Sequence, residues 1–119
     1  MAKNYQQQGL TVEVINTGTT AILSGDLVMV GALACVAATN IEPGEAGDGF
    51  AEGVFLLKKK AGVALTAGQA VETGDKGIVA DKGGVPVGIT WGAAEAGAEL
   101  VPVKLNIFPA TEAAGRFHF

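Results

Sequence analysis

Side chains with the chemistry to act as nucleophile, base or metal ligand are scarce in this chain. It holds one Ser (Ser24), one Cys (Cys35) and one His (His118) in 119 residues. A Ser or Cys nucleophile requires a His base held rigidly within hydrogen-bond reach. The only His stands next to last, and chain ends are usually the least ordered part of a domain. Zinc takes three or four His or Cys ligands, and the chain offers two. The closest approach to a calcium-ligand run is Glu42-Pro43-Gly44-Glu45-Ala46-Gly47-Asp48, which lacks the dense oxygen spacing of an Asp-x-Asp-x-Asp-Gly loop and reads as a solvated acidic turn. There is no Gly-x-x-x-x-Gly-Lys-Ser/Thr phosphate cradle. Carboxylate pairs for glycoside hydrolysis usually sit in aromatic-lined clefts, and the chain has one Trp and one Tyr. These residues predict no catalytic, cofactor-binding or metal-binding site, so the chain reads as non-enzymatic.

The charge points the same way. Eight basic residues stand against 12 acidic ones, for a net charge of −4, whereas a protein gripping nucleic-acid phosphates carries a basic face. The one basic cluster, Lys58-Lys59-Lys60, reads as a solvated loop, with a patch that meets an acidic partner surface as the alternative. Cys35 lies in the apolar run Ala32 to Ala38 and reads as a small buried hydrophobe. The polar start, Met-Ala-Lys-Asn-Tyr-Gln-Gln-Gln, has no apolar stretch behind it of the kind a secretory signal carries. No run approaches the roughly 18–20 apolar residues that span a bilayer. No membrane association is expected.

The elements that would position these residues are short. Gly makes up 18 of 119 residues without a three-residue period, which suits many tight turns. Leu10 to Ile15 alternates as a half-buried strand does. Leu27 to Val30 and Leu33 to Ala37 form a pair broken at Gly31. Thr39 to Gly49 reads as a loop, and Phe50 to Leu57 as one strand bulged at Gly53. Extended pieces follow at 61–65, 69–72, 77–80 and 85–91, and Ala93 to Ala96 could make one helical turn. Glu99 to Asn106 alternates, with Val101, Val103 and Leu105 on one face. Eight or nine short strands with regular turns predict an all-β sandwich or barrel. The expected organisation is an arm over residues 1–9, one domain over 10–106 and a tail over 107–119. Arg116-Phe117-His118-Phe119 place two aromatics at the very end, which calls for docking on the parent sheet or on another subunit.

Several of these segments, in order, resemble the small phage capsid cement, or head decoration, proteins. They are Met-Ala-Lys-Asn-Tyr at the start, Ser24 to Gly31, Val36 to Thr39, Glu52 to Lys59, Ala67 to Val71, Pro86 to Thr90 and Val101 to Asn106. The likeness covers about residues 1–106. It departs from the family at Glu72-Thr73, where an aromatic is usual, and in the 13 residues that follow Asn106. The resemblance implies a compact, jelly-roll-like β fold attached to the outside of an icosahedral head. The implied partner is the lattice of the major capsid protein, together with other copies of the chain as a dimer or trimer. Synthesis in the host cytoplasm and residence on the virion exterior follow. The candidate capsid or subunit contacts are Lys3, Asn4, Tyr5, Arg116, Phe117, His118 and Phe119. An alternative is a small β-barrel carrier or adaptor domain, since the turns around Gly68 and Gly74 echo lipoyl and biotinyl domains, with Lys76 or Lys82 presented at a turn. A sugar-binding module would call for aromatic platforms that the chain lacks.

Overall fold

The computed structural model describes residues 3, 4 and 6–108. Among them are nine strands and no helix: β1 (Thr11–Ile15), β2 (Leu27–Val30), β3 (Leu33–Ala37), β4 (Ala46–Phe50), β5 (Val54–Lys58), β6 (Ala70–Gly74), β7 (Gly77–Ala80), β8 (Pro86–Thr90) and β9 (Leu100–Leu105). They form a four-stranded sheet in the order β1-β4-β3-β2 and a five-stranded sheet in the order β5-β9-β8-β6-β7. All ladders are antiparallel. The chain is an all-β single domain, as its alternating pattern predicts. The sequence-based helical turn at Ala93 to Ala96 does not form. Its Ala94 instead bridges to Leu65, the one ladder contact made by the expected 61–65 strand.

The five-stranded sheet curls until its two edges meet. Lys59 bridges Ile78 in parallel, and the Lys60 N–H donates to the Ile78 carbonyl at 3.1 Å. Gly77 makes this approach possible. A Cβ there would lie 2.8–2.9 Å from the backbone of Lys58, Lys59 and Lys60, and its φ of +127° suits only Gly. The inward faces of this near-barrel supply the main core: Leu57, Val71, Ile78, Val87, Val101, Val103 and Leu105, joined by Leu65. The predicted inward face of β9 is thus confirmed. β3 adds Ala34 and Val36 to the same core and turns Cys35 to its other side. There Cys35 meets Val14 and Ile41 in a second, smaller core. A strand covered on both faces reads as an unbroken apolar run, which is why 32–38 shows no alternation.

Two expectations require correction. The loop assigned to Thr39–Gly49 ends early, because β4 begins at Ala46 and pairs with β1 along its whole length. Its glycines are structural: a Cβ on Gly49 would sit 2.7 Å from the Cys35 sulfur and 2.9 Å from Val14, and one on Gly47 would sit 2.7 Å from Ile41. Large core side chains from neighbouring elements occupy the space that β4 leaves empty. The single bulged strand expected over Phe50–Leu57 is two strands in two sheets, divided at Ala51-Glu52-Gly53. Phe50 stacks on Phe55 across this division, with ring centroids 5.9 Å apart.

Asn106 ties the sheets together. Its amide nitrogen donates to the carbonyls of Ala34 (2.8 Å) and Ala51 (2.7 Å), and its amide oxygen accepts the Ala34 N–H at 2.9 Å. Its own N–H donates to the Val87 carbonyl. The residue holds φ +60°, a left-handed conformation that Asn tolerates better than most residues. The turns before β2, β4 and β6 share a local device. An acceptor side chain just after a positive-φ Gly takes the N–H three residues back, in Asp26 to Leu23, Glu45 to Glu42 and Gln69 to Thr66.

Replacing Asn106 by Ala removes three hydrogen bonds and strands backbone groups at the sheet junction. The expected cost is about 2–4 kcal/mol, read from the urea unfolding midpoint. Burial pushes the Cys35 thiol above its ordinary value by desolvation. Its neutral form therefore favours the folded state. This contribution is intact below the unfolded thiol pKa of about 8.5 and is lost as pH rises through the higher folded value. Stability of the wild type should fall more steeply above that pH than stability of Cys35→Ala, as measured by urea titration across alkaline pH.

Candidate binding surfaces

The outer face of the near-barrel is unusually apolar. On β5, Val54 and Leu56 point outward, and cross-strand pairing sets them opposite Lys104 and Pro102 of β9. Leu100 stands opposite Lys58, and Ile89 of β8 opposite Lys104. Trp91 follows β8 directly, its N–H donating to the Pro102 carbonyl at 2.8 Å. The Lys104 ammonium lies over the indole, 5.2 Å from the ring centroid. Trp91 is 60% exposed and Leu56 65%. A lone Trp amid Leu, Pro and Ile on one sheet face has the composition of an interaction hot spot. Sequence reasoning passed over it, although a signal was present: β5 and β9 carry apolar residues at outward as well as inward positions.

The first and last segments of the strand domain lie side by side. Gly9, Leu10 and Thr11 line one groove with Lys104, Leu105 and Ile107, across the Ala51–Gly53 junction. Of the contacts expected from sequence, Lys3 and Asn4 are exposed. Tyr5, Arg116, Phe117, His118 and Phe119 lie outside the described residues.

The lysine cluster is not the uniform solvated loop expected. Lys58 and Lys60 are exposed, but Lys59 is only 2% accessible. Its ammonium donates to the carbonyls of Lys60 (2.9 Å), Val63 (2.6 Å) and Ala96 (3.1 Å). Strand alternation explains the difference, since Lys59 follows β5 on the inward side. Three carbonyl dipoles replace the water that a buried ammonium gives up, and they pin the 60–63 and 95–97 turns to each other. Around this anchor, Lys58, Lys60 and Lys76 line a groove with Asp75, Glu99 and Leu100. Lys76 occupies the tip of the β6–β7 hairpin. Lys82 lies in a turn held from below by the Glu72 carboxylate, which accepts its N–H at 2.6 Å and that of Gly84 at 3.0 Å.

No group of three or more His, Cys, Asp or Glu among the described residues is placed to hold a metal ion. Ser24 donates to the Ala38 carbonyl and Cys35 to the Val28 carbonyl, so both potential nucleophiles serve the backbone of the four-stranded sheet. Surfaces, then, carry the functional information. The family model described as phage cement protein matches residues 6–105, and the chain belongs to that family. The family is structural and places the chain with the phage capsid, which it stabilises. No curated protein and no solved structure matches the chain at significance.

Lys59→Met keeps the side-chain bulk and removes the donors from three partly buried carbonyls. The expected loss is about 2–4 kcal/mol, against about 0.5 kcal/mol or less for Lys58→Ala and Lys60→Ala. Guanidinium unfolding of the three variants makes the comparison.

Proposed function

We propose that this cement protein binds the outer surface of the mature phage head, against the lattice of the major capsid protein, and stabilises the shell without catalysing a reaction. The observation that carries this reading is the apolar outer face built on Trp91, Leu56 and Pro102, in a chain whose family is that of phage cement proteins. Burying such a face excludes water from a few large side chains, which dominate the energy of most interfaces. Many copies repeat the contact over the lattice, so modest affinity per copy sums to a large effect. A protein that prefers the mature shell over its precursor shifts the equilibrium towards the mature form by its differential affinity.

In this reading residues 10–106 are the rigid body, and the arm 1–9 and tail 107–119 extend from it. Because residues 9–11 and 104–107 share a groove, arm and tail would reach the shell from one place. Lys3, Asn4, Tyr5 and Arg116 to Phe119 would then add polar and aromatic anchors beside the Trp91 face, by pocket insertion or strand addition.

Co-sedimentation with mature heads that lack the protein tests the role. Saturable binding at a fixed ratio to the shell protein, with a raised disruption temperature, is the expected result. Trp91→Ala should weaken binding about tenfold or more, and deletion of 107–119 should abolish it, with both variants still folded. Full occupancy by both variants would remove these contacts from the proposal. Absence of binding by the intact chain to expanded and unexpanded heads alike would overturn the role.

A further inference from the structure

Sheet edges invite further pairing unless they are closed or charged. The two edges of the five-stranded sheet, β5 and β7, close on each other through Lys59 and Ile78. β1, at one edge of the four-stranded sheet, carries Glu13 at mid-strand, exposed and opposite Asp48 of β4. β2, at the other edge, has neither protection and no outer partner among the described residues. Leu27-Val28-Met29-Val30 holds no charge and no Pro, and all four side chains are only half-buried. Leu27 and Met29 pack on the main core, Val28 and Val30 on the second. The backbone of this edge is open as well. Met29 stands opposite Ala34, and Ala34 gives both its N–H and its carbonyl to the Asn106 carboxamide. In an antiparallel ladder, residues directly opposite either exchange both bonds or exchange none. Met29 therefore turns its N–H and C=O outward, as does Leu27 two residues earlier, while Val28 and Val30 bond β3. An apolar edge with outward backbone groups is a template for one more strand.

We propose that residues 116–119 of the same chain pair with β2 as one further strand and close this edge in the free protein. Connectivity places them within reach. Asn106 binds β3 on the side away from β2, so the added strand lies three strand spacings from it, about 14 Å. Ten residues of extended chain from Asn106 to Arg116 reach about 33 Å. Leu33 lines one groove with Asn106 and Ile107, so the connection rounds the β2–β3 turn at Gly31-Ala32 and arrives at the Val30 end. The added strand then runs antiparallel to β2, with Phe117 opposite Met29 and Phe119 opposite Leu27. Arg116-Phe117-His118-Phe119 has the alternation this needs, since both rings fall on the face of the main core. Arg116 and His118 fall beside Val30 and Val28, where the Arg stem covers apolar surface and its head stays in water. The arm suits the site less well: it leads into β1 at the opposite edge, and Tyr5 is its one large apolar group between Lys3 and Gln8. This inference goes beyond the shell-binding reading. It concerns the chain before it meets a head, and it keeps two aromatics out of water until shell contacts displace them.

The test is residue-resolved amide hydrogen exchange, by nuclear magnetic resonance, of the full chain without heads. In the wild type the Leu27 and Met29 amides should be protected, to an extent that does not change with protein concentration. In the double variant Phe117→Ser with Phe119→Ser they should exchange at least about tenfold faster. The Val28 and Val30 amides, which bond β3, should keep their protection and so report that the sheet is intact. A second measurement needs no variant: in the wild type the ring protons of Phe117 and Phe119 should show short-range contacts to the Met29 and Leu27 side chains. Leu27 and Met29 amides that exchange freely in the wild type, equal protection in the double variant, or the absence of ring contacts would each overturn the proposal. Protection that rises with protein concentration would also overturn it, and would assign the edge to a second copy. Heads take no part in these measurements, so the outcome is read separately from that of the shell-binding reading.

Discussion

The carboxamide of Asn106 is the tie on which the two-sheet arrangement rests. It satisfies both backbone groups of Ala34 and the carbonyl of Ala51, joining the end of the last strand to β3 and to the point where β4 leaves for β5. Those backbone groups face the junction of two sheets, where no ladder can reach them. Left without partners they would each carry a desolvation penalty. One residue in a left-handed conformation, 72 positions from Ala34 in sequence, removes that penalty and fixes how the sheets meet. The Phe50–Phe55 stack and the groove shared by the first and last segments of the strand domain are built around the same junction.

Around this tie the fold separates rigidity from recognition. The interior of the curled sheet is filled by β-branched and leucine side chains, and its two edges are closed through Gly77 and Lys59. Lys59 is held by carbonyls and not by an acidic partner, so the closure costs no carboxylate and leaves neighbouring lysines free to face outward. The four-stranded sheet is covered on its far side by the loops carrying Ile22 and Ile41, whose buried Asn16 donates to the Thr20 and Ile41 carbonyls. The outer face around Trp91 and the charged faces lie outside both cores. They are available for contacts with other surfaces, as a structural protein of the phage capsid requires.

Much of this was legible in the chain. Alternation in Leu10 to Ile15 and in Glu99 to Asn106 marks strands with one buried side because side chains alternate across a pleated strand. The Gly-rich turns and the lack of helical periodicity marked the all-β class. The ordered segments from Ser24 to Asn106 carried the family likeness that the match over residues 6–105 bears out.

What sequence reasoning missed depended on partners distant in the chain. β4 looked like a loop because glycine is rare in strands, yet Gly47 and Gly49 are there to make room for Ile41, Cys35 and Val14. Phe50 and Val54 looked like parts of one strand because nothing local says that the sheet changes between them. Lys59 looked like its neighbours, since only the curl of the barrel brings the Val63 and Ala96 carbonyls to its ammonium. The sequence by itself determined most of the strands, the turns and the family likeness, because periodicity and turn chemistry act over a few residues. The tertiary structure alone decided which side chains gather into surfaces. The Trp91 face, the lysine groove and the Glu13–Asp48 pair each assemble residues from separate strands, and only sheet pairing and curvature bring them together.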